Sequence, residues 1–289
     1  MSQQKDTIKA ALREDIGKRD LTSELIIPAE KNVNAVIITR QACMLCGLDI
    51  AKQVFKTQDK KIGFAPLARD GQYLKKDEVL ARIKGKASSI LTAERVALNF
   101  LTLLSGIATK TYEFVKAVRP YKVKVLDTRK TIPGLRELQK YAVRIGGGYN
   151  HRMSLSDMVL VKDNHIKVTR SQGHKVTSII EKIRKKTGKK IKVEIEVKNL
   201  REFKEALKAA PDIIMLDNMK VSDIKKAVEI RRQMTKHYPL NAIRYTLLEA
   251  SGGITLKNVN KVASTGINMI SVGALTHSVK SIDMSLEIL

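Results

Sequence analysis

From about residue 120 onward, short apolar runs alternate with helix-forming segments, and this rhythm constrains the chain more than any other feature. The runs occupy residues 123–126, 158–161, 193–197, 213–216, 245–248 and 269–272. Alternating strands and helices imply a parallel sheet, because each parallel crossover needs a connecting element. Six such units in about 150 residues suit an open doubly wound sheet or a small barrel. The residues that end the runs separate the two. They include Asp127-Thr-Arg-Lys130, Lys162-Asp-Asn-His165, Glu196, Asp217-Asn218, Glu249-Ala-Ser-Gly-Gly253 and Gly273. A barrel gathers its strand C-termini at one mouth, so these charged and glycine-rich ends converge on a single site. An open sheet would spread them along an edge, so the barrel is the better fit.

The chemistry of those ends is specific. Ser251-Gly252-Gly253 and Gly273-Ala274 are small enough for backbone N–H groups to approach an anion, and phosphate sites in α/β barrels commonly follow the last two strands. Arg129, Lys130, His151, Arg152 and Lys162 cluster near the ends of two successive strands and read as a basic pocket for carboxylates or phosphates. Glu196 and Asp217 each close a strand. Carboxylates in a phosphate site hold Mg²⁺ or sugar hydroxyls, since direct contact with phosphate is repulsive. Together these groups fit transfer of a phosphorylated sugar to a second anionic reactant. A Schiff-base role for Lys162 fits poorly, because such a lysine needs a desolvated setting and this one precedes Asp163, Asn164 and His165.

The first hundred residues read as a mixed α/β unit. Residues 35–39 are strand-like, 71–83 combine turn signals with a second strand, and a long helix begins near Thr92. Val96, Phe100, Leu103, Leu104 and Ile107 recur on that helix at helical spacing, with Arg95 beside the stripe. The net charge of +25 raises nucleic-acid binding as an alternative, but aromatic content is 4% and the lysines are spread along the chain. The densest basic stretch, 181–192, reads as a solvated helix end passing into a strand. Cys43 and Cys46 form a C-x-x-C without a second ligand pair, and their apolar neighbours favour two buried small hydrophobes over zinc or redox chemistry. No run reaches the roughly 18 apolar residues of a membrane span, and the polar N-terminus lacks a signal-peptide core. The expectation is a cytoplasmic enzyme.

At this point the motifs resemble a known family. DTRKTIPGLR (127–136), KYAV (140–143), GGGYNHR (146–152) and MVLVKDNH (158–165) are similar to the signature of quinolinate phosphoribosyltransferases. EIEV (194–197), MLDNM (215–219), EASGGI (249–254) and SVGALTH (271–277) continue the match in order, as do REDIGKRDLT (13–22) and TAERVALNFL (92–101). The resemblance implies an N-terminal α/β sandwich over 1–117, with the tail 278–289 packing back on it, and an incomplete seven-stranded α/β barrel over 118–277. It implies that Arg129, His151 and Arg152 grip the carboxylates of quinolinate, with Arg95 arriving from a neighbouring subunit of a homodimer or larger assembly. Lys130 and Lys162 would lie between quinolinate and the pyrophosphate of phosphoribosyl pyrophosphate (PRPP). Glu196 and Asp217 would serve the ribose hydroxyls and Mg²⁺, and Ser251 to Gly253 with Gly273 to Leu275 the 5′-phosphate, His277 nearby. One departure is the long basic stretch between Asp217 and Ser251, with Lys225, Lys226, Arg231, Arg232, Lys236, His237 and Arg244. A ModD-like branch, associated with molybdenum transport loci, is the competitor within the family; the intact DTRK and NHR segments favour quinolinate.

Overall fold

The computed structural model describes residues 2–170, 176–188, 190–237 and 245–289. Two compact units emerge. One comprises 1–112, 131–148 and 275–289; the other comprises 113–130 and 149–274.

The first unit is built on an antiparallel sheet of β1 (Asn32–Thr39), β3 (Gly63–Pro66), β5 (Val79–Lys86) and β12 (Met284–Ile288), in the order β12-β1-β5-β3. The tail thus returns as a strand, with Ala35 opposite Ile288 and Thr39 opposite Met284. A two-stranded ribbon joins β2 (Cys43–Met44) to β4 (Tyr73–Leu74). The helices are α1 (Ser2–Ile16), α2 (Leu21–Ile26), α3 (Leu48–Gln58), α4 (Ala87–Val118, whose last turns enter the second unit) and α5 (Arg136–Ile145). Asp20 caps α2, accepting from Ser23 N at 3.0 Å. α4 starts one turn before the expected Thr92. It is long and apolar enough to cross a bilayer by length and composition, yet its apolar residues, among them Ile90, Val96, Leu101, Leu104 and Ile107, are buried in the core.

Cys43 and Cys46 are free and fully buried. Burial pushes the Cys46 thiol far above its ordinary range, with the Asp70 carboxylate adding to the shift. These are inert packing residues, as their neighbours indicated.

The second unit carries a parallel sheet of β6 (Lys124–Leu126), β7 (Val159–Val161), β8 (Val193–Val197), β9 (Ile213–Asp217), β10 (Leu247–Ser251) and β11 (Met269–Ser271). Their order, β6-β11-β10-β9-β8-β7, is the cyclic order of a barrel left open between its first and second strands. Among the described residues six strands form the ladder, and a single bridge from Leu126 to Tyr149 stands at the seam where a seventh would lie. Period-two alternation gives the sheet two different faces. Val193, Ile195, Val197, Ile214, Leu216, Leu248, Ala250 and Ile270 form one face. It is aliphatic throughout and suits a cover of helices; after α6 (Asp163–Arg170) and α7 (Val176–Thr187), α8 (Leu200–Lys208) buries Phe203, Ala206 and Leu207. The register aligns Glu194 with Ile213, Glu196 with Met215, Glu249 with both Met215 and Met269, and Ser251 with Asp217. All these residues share the other, interior face. Leu126, Ile213 and Met269 pack together there, with Met158 against them.

The basic stretch after β9 resolves as α9 (Val221–His237), so it is a helix over those residues; Arg244 lies outside the described residues. Arg231 is more than a surface charge. Its Nη1 donates to Thr246 O at 3.0 Å and Asn268 Oδ1 at 2.8 Å, tying α9 to the entrances of β10 and β11.

Candidate active site

The interior face holds two charged groups. The first surrounds the segment 149–152, which lies along β6. Tyr149 N donates to Val125 O at 2.8 Å, and Asp127 N donates to Tyr149 O at 3.1 Å. Asp127 is completely buried and accepts from His151 N at 2.9 Å and Asn150 Nδ2 at 2.5 Å. This fixes the backbone from which Arg152 projects. Arg152 Nη1 then donates to Met158 O at 3.2 Å, at the entrance of β7, so the side chain spans the open seam. Burial and the nearby Arg129 guanidinium lower the Arg152 pKa, while Glu194 and Asp157 oppose that shift. Two guanidinium groups close enough to repel each other make a site for a dianion.

Around His151 lies a buried cluster whose two glutamates the sequence reading gave no individual role. His151 Nε2 sits 3.0 Å from Glu194 Oε2 and 3.7 Å from Glu249 Oε2, and both glutamates are fully buried. Burial raises the Glu249 pKa to about 8, with the Glu194 charge adding and His151 subtracting. One atom from each residue falls within 4.8 Å of the others, which also describes a possible cation cage. However, His151 Nδ1 accepts the Arg152 N–H at 2.8 Å. Nε2 of the neutral ring therefore bears the proton and has no lone pair for a metal.

The second group lies further along the strands. Glu196 is two residues beyond Glu194 on the same face, about 6.6 Å along the strand. Desolvation raises the Glu196 pKa, Asp217 raises it further, and Lys162 opposes the shift. Asp217 and Glu196 are half-buried, and Lys162 is exposed, its N–H donating to His165 Nδ1 at 2.9 Å. Two hard oxygen donors, with the Asp217 charge disfavouring ionisation of Glu196, suit a divalent cation such as Mg²⁺.

Next to Asp217, Asn218 adopts φ +53° and its N–H donates to Ser251 O at 2.7 Å. Gly252 (φ +88°) packs so closely that a Cβ there would lie 2.9 Å from Asn218 N. The 251–253 backbone is therefore held against the end of β9 in a shape that favours glycine. Gly273 and Ala274 follow β11 in the same unit. Lys130 is exposed just beyond β6. Arg95, Leu275 and His277 belong to the first unit: Arg95 is exposed on α4, Leu275 is buried, and His277 Nδ1 lies 2.6 Å from Ser278 Oγ.

The structure thus brings Arg129 and Arg152 together, and separately Lys162, Glu196 and Asp217. Asp127 and Glu249 were placed among the strand ends without a role of their own, and Asn150 and Glu194 were given none. The signal for Glu194 was its spacing from Glu196, which alternation places on one strand face.

An open α/β barrel with a guanidinium pair, a carboxylate pair and a glycine loop on one interior face defines an enzyme for anionic substrates. Residues 20–105 match the quinolinate phosphoribosyl transferase N-terminal domain, and 107–287 its C-terminal domain. A probable nicotinate-nucleotide pyrophosphorylase (carboxylating) of Bacillus subtilis is 41% identical over 95% of this chain and 90% of that protein. The carboxylating nicotinate-nucleotide pyrophosphorylase of Mycobacterium leprae is 39% identical over 98% and 96%. The structure of the nicotinate-nucleotide pyrophosphorylase from Francisella tularensis superposes with a TM-score of 0.89 at 41% identity, covering 100% of this chain and 96% of that one. The chain belongs to the quinolinate phosphoribosyltransferase family.

Proposed function

We propose that this enzyme joins quinolinate to PRPP, releasing pyrophosphate and carbon dioxide and forming nicotinate mononucleotide for NAD biosynthesis. The observation that carries the reading is the sorting of charge along one strand face. The Glu194 charge acts on Arg152, as does Arg129, whereas Glu196, two residues on, feels Asp217 and Lys162. The guanidinium pair orients the two carboxylates of quinolinate, so that its ring nitrogen faces the anomeric carbon. Lys130 and Lys162 neutralise charge on the departing pyrophosphate. Glu196 and Asp217 hold the ribose hydroxyls and would hold Mg²⁺, which would supply Lewis-acid stabilisation of the leaving group. The loops at Ser251 to Gly253 and Gly273 to Ala274 receive the 5′-phosphate. Once the nitrogen is quaternised, carbon dioxide leaves, the positive ring nitrogen stabilises the electron pair left on the adjacent ring carbon, and a proton from water then takes that position to give nicotinate mononucleotide.

We infer a homodimer in which Arg95, exposed on α4, serves the clamp of a second copy. Leu21, Leu25 and Ile26 are 54%, 80% and 73% exposed on the short α2, an apolar patch suited to a partner. Two free thiols fit a reducing compartment such as the cytoplasm. The direct test is incubation with quinolinate, PRPP and Mg²⁺, following nicotinate mononucleotide by chromatography. Its formation, and its loss in Arg129→Ala, are expected; no product at any Mg²⁺ concentration would overturn the reading.

A further inference from the structure

The family resemblance assigns His151 to the surface that grips quinolinate, but the ring is already engaged on both sides. Nδ1 accepts the Arg152 backbone N–H, and Nε2 faces the two buried glutamates at 3.0 and 3.7 Å. The carboxylate oxygens of Glu194 and Glu249 are buried and make no hydrogen bond in good geometry, the 3.0 Å approach of His151 Nε2 included. Buried carboxylate oxygens need a donor, and Nε2, 3.0 Å from Glu194 Oε2, is a donor within reach. The ring is also fixed from the backbone side, since His151 N donates to Asp127 Oδ1.

We propose that Glu194 and Glu249 are positioning residues for quinolinate binding, acting through His151 on Arg152. The glutamates set the tautomer and tilt of the imidazole. The imidazole fixes the Arg152 N–H, and the Glu194 charge favours the charged form of the Arg152 guanidinium. His151 therefore supports the clamp from below and leaves the substrate carboxylates to the arginines. The proposal rests on the reading of the Arg129–Arg152 pair as the quinolinate site. Buried partners of this kind set how accurately a binding group is held.

Two measurements test it. In the ¹⁵N spectrum of histidine-labelled protein at neutral pH, with the signal assigned through His151→Gln, His151 is expected as the neutral Nε2–H tautomer both before and after quinolinate is added. An imidazolium form in the quinolinate complex would overturn the proposal. Kinetically, Glu194→Gln is expected to raise the KM for quinolinate about tenfold or more while the KM for PRPP stays within about twofold. The Glu249→Gln rise should be smaller, since Glu249 is farther from the ring. Equal rises in both constants, or unchanged constants, would overturn it. If Glu194→Gln does not fold, the wild-type spectrum still decides. Failure of the wild-type enzyme to turn over quinolinate would instead sink the parent reading, leaving the free-state tautomer as an independent check of the His151 geometry.

Discussion

Gly252→Ala offers the sharpest test of the loop that closes the site. At φ +88° an alanine incurs about 1–2 kcal/mol of backbone strain. Its Cβ would stand 2.9 Å from Asn218 N and 3.0 Å from Asn218 Cα, both backbone atoms that cannot swing aside. Relieving that overlap adds about 1–3 kcal/mol, so the total is roughly 2–5 kcal/mol. Gly188 provides the control: its φ is +62°, but nothing lies within 4 Å of its would-be Cβ, so Gly188→Ala carries only the backbone strain. At about 2 °C per kcal/mol for a chain of this size, calorimetry should find Tm lowered by roughly 4–10 °C for Gly252→Ala and by less than about 4 °C for Gly188→Ala. Steady-state kinetics should show the KM for PRPP raised about tenfold or more in Gly252→Ala alone, because its backbone N–H groups are displaced. If Gly252→Ala matches the control in both Tm and PRPP affinity, the argument from close packing is wrong.

The burial that raises Glu249 from 4.5 to about 8 makes folded protein hold a proton that the unfolded chain has lost. Stability should therefore fall as pH rises across that interval, and Glu249→Gln should flatten the dependence in thermal melts. Arg231→Ala removes bonds to Thr246 O and Asn268 Oδ1; a loss of about 1–3 kcal/mol in urea unfolding, with both KM values unchanged, is expected. Replacing Cys43 and Cys46 together by Ala should leave turnover intact, and the native wild type should resist alkylation until denatured, since both thiols are buried.

Much of this was legible because a parallel sheet imposes strict grammar. Six apolar runs marked six strands, and residues at their ends marked Glu196, Asp217 and the 251–253 loop. Glu249 reads from the sequence as the first residue beyond a run at 245–248, whereas β10 starts at Leu247 and continues to Ser251, which puts it inside the strand. A charged residue inside a strand reads as a loop until the sheet is known to face a polar interior. The roles of Asp127 and Asn150 escaped for a different reason. Their role is to hold the backbone of a segment that is neither helix nor strand, and such bonds have no periodic signature. The short elements β2, β3 and β4 were invisible singly, since two to four residues carry too little pattern.

The gap in the barrel has a chemical use. In a parallel strand, N–H and C=O of one residue point to the same neighbour, and those of the next residue point the other way. Val159 N turns toward the strand on one side, donating to Lys192 O, so the Met158 carbonyl faces the vacant side. A completed ladder would consume that oxygen in a bond between main chains. Left unclaimed, it anchors Arg152 instead. Substituting a strand that closed the cylinder would strengthen the sheet and evict the guanidinium from its seat. In this architecture, incompleteness is what makes a main-chain acceptor available to the arginine.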